Sequence, residues 1–100
     1  MTVLIDLLYV AGCPNLPLAR RRLQDAVARA DADVAIRERE ITDQRDAQTY
    51  GMVGSPTILV DGRDAVPGEG STSVSCRLYA TDTGLHGAPT VEQLVKALAS

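Results

Sequence analysis

The chain has no tryptophan and no phenylalanine, and its 3% aromatic content is all tyrosine. A core built from it must therefore come from Leu, Val, Ile and Ala, which the 45% hydrophobic content can supply. Cysteine is equally scarce: Cys13 and Cys76 alone cannot form the multi-bridge framework of a small secreted domain. One histidine, His86, with two distant cysteines lacks the ligand spacing of a zinc site, so no metal or cofactor is expected. Basic residues are not in excess, and the net charge is −3. Phosphate backbones select basic faces, so nucleic acid is not an expected partner. The longest apolar run, Leu7 to Cys13, falls far short of the ~20 residues of a membrane span. Asp6 interrupts the opening stretch and no basic segment precedes it, so no signal peptide is read there. The expectation is one cytoplasmic domain over residues 1–100, without membrane contact.

Val3 to Val10 is nearly continuous apolar sequence and predicts a central strand covered on both faces, with Asp6 as its misfit. Ala11 to Asn15 is a tight break. Leu16, Ala19, Leu23, Ala26, Val27 and Ala30 then fall at helical spacing, with Arg20, Arg21 and Arg22 read as a solvated face. Ala32 to Ile41 predicts a second, more exposed strand. A short helix from about Asp43 to Tyr50 would end at Gly51. Thr57 to Val60 predicts a third strand, and Asp61-Gly62 a hairpin turn to a partner over Arg63 to Val66. Pro67 to Ser73 and Thr81 to Pro89 read as loops, with an ambiguous stretch from Cys76 to Tyr79 between them. Thr90 and Gln93 have the spacing of a capping box ahead of a last helix. The order β-α-β-α-β-β-α implies an α/β sandwich with a mixed central sheet.

Two segments carry chemistry. In Gly12-Cys13-Pro14, the cysteine sits at the junction between the first strand and the first helix. The helix dipole and unpaired N–H groups at such a junction favour thiolate over thiol, and the thiolate is the nucleophile. The alternative is an inert buried cysteine. In the second segment, Gly54-Ser55-Pro56-Thr57, a proline stands directly before an apolar strand, in either a cis turn or an ordinary trans strand start.

Tyr50-Gly51-Met52-Val53-Gly54-Ser55-Pro56-Thr57 resembles the thioredoxin segment that carries the cis-proline, and the Cys13 junction resembles the thioredoxin and glutaredoxin active site. The resemblance extends over nearly the whole chain. It is closest to small bacterial thioredoxin-like proteins with Gly-Cys-Pro near the start and Ser-Cys-Arg-Leu-Tyr downstream, some of them labelled alkylmercury lyase. It implies a thioredoxin-like three-layer sandwich. It also implies that Cys13 is the nucleophile, that Gly12 and Pro14 flank it, that Pro56 walls the site, and that the Ser55 backbone pairs with substrate. Departures from the pattern are plain. Leu16 stands where thioredoxins have the second cysteine, and Asp6 lies one residue further from Cys13 than the family's buried acid. Cys76 is then either a resolving thiol for Cys13 or a small buried apolar residue.

Three functions compete on these residues. The first is thiol–disulfide exchange with a protein thiol or a small thiol such as glutathione, with Cys13 and Cys76 as the catalytic candidates. The second is a non-catalytic binding module. The third is capture of mercury or an organomercurial by the two thiolates.

Overall fold

The computed structural model describes residues 2–68 and 70–99. The elements are β1 (Val3–Tyr9), α1 (Leu16–Ala30), β2 (Val34–Glu40), α2 (Gln44–Tyr50), β3 (Val53–Ser55), β4 (Thr57–Val60), β5 (Arg63–Asp64), β6 (Ser73–Cys76), β7 (Tyr79–Thr81), β8 (Gly84–His86) and α3 (Val91–Ala99). The main sheet has the order β2-β1-β4-β5. β1 runs parallel to β2, from Val3 opposite Val34 to Tyr9 opposite Glu40. It runs antiparallel to β4, with Leu7 opposite Ile58.

β1 is central because both of its faces are apolar. Ile5 and Leu7 point into one core with Ala19, Leu23, Ala26, Ile58 and Leu94. Leu8 points into a second core with Ile41, Ala47 and Met52. The helices α1 and α3 therefore cover one face and α2 the other, giving three layers. Asp6 is accommodated because Arg37 is its register partner on β2. The guanidinium donates to both carboxylate oxygens, at 2.8 and 3.2 Å. β2 itself is one of the two edge strands and is exposed along most of its length.

The helix ends follow local chemistry. Asp43 caps α2 by accepting from the Asp46 N–H at 2.8 Å, and Gly51 ends it in the left-handed region at φ 81°. Thr90 and Gln93 bond reciprocally at 2.9 and 3.1 Å ahead of α3. No helix among the described residues is long and apolar enough to cross a membrane.

The expected element order is present but incomplete. β3, β6, β7 and β8 are additional strands, in a parallel β3–β6 pair and an antiparallel β7–β8 pair. Residues 81–89, expected as a loop, hold the second half of that hairpin. The β5 partner is shorter than expected, because Asp64 Oδ1 accepts from the Val66 N–H at 3.0 Å and turns the chain away.

Candidate functional site

Cys13 lies in the turn between β1 and α1. Its N–H donates to the Val10 carbonyl at 3.1 Å, and its own carbonyl accepts from Leu16 N–H at 3.3 Å. Gly12 permits that turn by taking φ 73°, a region unfavourable for residues with a Cβ. Gly12 and Pro14 are exposed, whereas Cys13 is only 8% exposed and belongs to the same buried cluster as Leu16 and Ala88.

Residues 87–89 pack beside this junction. Asn15 stands at the N-terminal cap of α1 but makes no side-chain cap bond. Its amide instead packs against Gly87 so closely that no room is left for a Cβ there. Arg22 then donates to the Ala88 and Pro89 carbonyls at 3.1 and 3.2 Å. Arg22 is thus an anchor for this segment, not part of a solvated helix face. Arg20 is likewise engaged, with Glu38 at 2.6 Å.

The second half of the site is the corner at Ser55 and Pro56. The Ser55–Pro56 bond is cis. Ser55 is 0% exposed, and its hydroxyl accepts from the Val10 N–H at 3.1 Å. This bond ties the corner to the end of β1, three residues before Cys13. The Ser55 carbonyl is also engaged, accepting from Arg77 N–H at 3.0 Å. β6 runs beside β3 with Cys76 opposite Ser55. Gly54 makes this approach possible: a Cβ there would lie 2.8 Å from the Arg77 Cβ.

Cys76 is exposed and Cys13 buried, and both thiols are free. The reading of Cys76 as a small buried apolar residue is therefore overturned. It ends β6, a strand that packs on β3 through its backbone and leaves most of its side chains outside.

Behind the corner is a polar hub that sequence reasoning missed. The Arg77 guanidinium, 10% exposed, meets Asp64 at 2.8 Å. It also donates to the Val66 carbonyl at 2.8 Å and lies over the Tyr79 ring at 4.3 Å. The Tyr79 hydroxyl donates to the Pro56 carbonyl. Burial pushes the Tyr79 phenol pKa well above its ordinary value, outweighing the nearby Arg77 charge that favours ionisation, so it remains a donor. Only the adjacency of Arg77 to Cys76 marked this hub in the sequence.

His86 stands opposite Tyr79 in the β7–β8 hairpin. Its Nε2 is 3.1 Å from Thr83 Oγ1, and its buried Nδ1 has no partner among the described residues. No group of three or more His, Cys, Asp or Glu side chains among the described residues could hold a metal ion. A scan against family models, a search of curated proteins and a search of solved structures each returned no match.

Proposed function

We propose that the chain is a thioredoxin-like domain performing thiol–disulfide exchange through one nucleophilic cysteine, Cys13. The Val10 N–H to Ser55 hydroxyl bond carries this reading, because it couples the Cys13 turn to the cis-proline corner. The sheet order β2-β1-β4-β5 and the helices on both faces support it.

In the proposed reaction the Cys13 thiolate attacks one sulfur of a substrate disulfide. A new S–S bond forms, and the other sulfur leaves with its electron pair and takes a proton from solvent. Glutathione attacking the substrate sulfur releases the Cys13 thiolate and leaves the substrate as a glutathione mixed disulfide. The exposed Cys76 attacking the Cys13 sulfur instead releases the substrate thiol and leaves a Cys13–Cys76 disulfide for an external thiol to reduce. Because Cys13 is 8% exposed, the chain around it must open for a disulfide to reach its sulfur.

A binding module without catalysis is the second reading. It is favoured by the same burial and by the Ser55 carbonyl, already taken by Arg77 N–H. Incubation with oxidised glutathione, followed by intact-mass and peptide mapping, separates the two. Exchange predicts a glutathione adduct at Cys13 that persists in Cys76→Ser and is absent in Cys13→Ser. Modification confined to Cys76, with Cys13 reacting only in urea, would leave the binding module.

A further inference from the structure

Ten basic residues are present, and most are committed. Arg20, Arg29, Arg37 and Arg77 pair with acids. Arg22 holds two carbonyls and Arg39 lies over the Tyr50 ring. Arg63 and Lys96 have no partner among the described residues, and both line one cleft. That cleft lies between the β4–β5 hairpin and α3, remote in sequence from Cys13, and has a volume of about 690 Å³.

The lining is two-sided in character. Val60, Ala65, Val66 and Pro67 supply apolar wall. Asp61 and Asp64 also reach it, but both carboxylates already hold donors. Asp61 accepts from Leu4 N–H at 2.9 Å, and Asp64 is paired with Arg77 at 2.8 Å. Arg77 balances Asp64, while Asp61 keeps its charge, so Arg63 and Lys96 against Asp61 leave the lining with a net positive charge for a visitor. Such a volume suits a small molecule, and an apolar wall with a few placed charges is the usual character of a ligand cleft. Guanidinium and ammonium groups on long apolar stems can meet a carboxylate while their stems extend the apolar wall.

We infer that this cleft binds a small amphipathic carboxylate. Its anionic head lies between Arg63 and Lys96, and its apolar body lies along Val60, Ala65, Val66 and Pro67. The inference is independent of the chemistry at Cys13.

Titration of the full chain with octanoate, octanol and octyltrimethylammonium, followed by calorimetry and amide chemical shifts, tests it. Octanoate is expected to bind best, with shifts at residues 60–67 and at Lys96. The double variant R63Q/K96Q should weaken octanoate about tenfold or more, a difference of about 1.4 kcal/mol. Octanol binding should stay unchanged in the same variant. Both substituted side chains are exposed, and thermal unfolding of the variant checks that the fold is kept. Equal binding of octanoate and octanol, an unaltered octanoate affinity in R63Q/K96Q, or shifts elsewhere would each overturn the inference.

Discussion

Residues 3–60 and residues 63–90 are held by different forces. The first region closes around rows of apolar side chains: Ile5, Leu7, Leu8, Leu23, Ile41, Met52 and Ile58 are each no more than 2% exposed. The second buries few apolar groups and leaves Val74, Leu78 and Leu85 exposed, at 37%, 64% and 68%. Its order rests on named polar anchors instead. Arg77 holds Asp64 and the Val66 carbonyl, Tyr79 holds Pro56, Arg22 holds the 88–89 carbonyls, and Gln93 donates to the Ala80 carbonyl. Hydrophobic burial is spread over many contacts and is non-directional. A polar anchor is local, so losing one partner strands the other. Both halves of the candidate site, the Cys13 junction and the Ser55–Pro56 corner, come from the first region, and the second braces them through Arg77 N–H at Ser55, Tyr79 at Pro56 and Gly87 at Asn15.

The largest expected effect tests the apolar region. Leu7→Ala removes a fully buried side chain at the centre of the sheet, and should lower stability to urea by about 2–5 kcal/mol. A loss below about 1 kcal/mol would mean that the core is not where the first region's stability lies. Next is Arg77→Met, which leaves Asp64 without its cation in a partly enclosed position. About 2–3 kcal/mol is expected, below a fully buried pair because some solvent remains. Amide exchange should speed up over residues 73–81 before it does in β1. Uniform acceleration across both regions would erase the distinction between them.

Thr90→Ala removes one half of the capping box and should cost about 1 kcal/mol, with fraying at the start of α3. The smallest effect is at the Arg20–Glu38 pair. The hydrogen bond from Arg20 holds the Glu38 carboxyl below its ordinary pKa, burial opposes this, and the Arg20 charge adds to the lowering. A carboxyl lowered in the folded state stabilises above its unfolded value of about 4.3, and that contribution disappears as pH falls through the lowered value. The stability gap between wild type and Arg20→Gln should therefore be open at neutral pH and close as the pH falls below about 4.3 and through the lowered value. A gap that persists in acid would assign it to packing of the arginine stem.

The contrast also explains what could be read from sequence. α1 was legible because burial on one side imposes a helical period, and β1 and β4 because burial makes them short, nearly continuous apolar runs. The Asp61-Gly62 turn was legible because both residues must take positive φ, here 50° and 84°. β3 and β6 were not. They pair through backbone groups brought together across the fold, and such pairing leaves no alternation in residue type. Arg77 gave no sign of its role because its acid partner lies thirteen positions earlier. Cys13 was legible as a strand–helix junction, but the packing of residues 87–89 beside it was not, since nothing in Gly87 announces Asn15 as its seat.

The edge strand β2 has a consequence outside the site. A seven-residue strand at a sheet edge can template the addition of a second chain. The run Arg37-Glu38-Arg39-Glu40 sets alternating charges along that edge, and two of them are already fixed to Asp6 and Arg20 within the molecule. A strand arriving out of register would bring like charges face to face and would have to strip water from each. The residues that neutralise Asp6 and steady α1 therefore also guard the molecule against aggregation through its longest open edge.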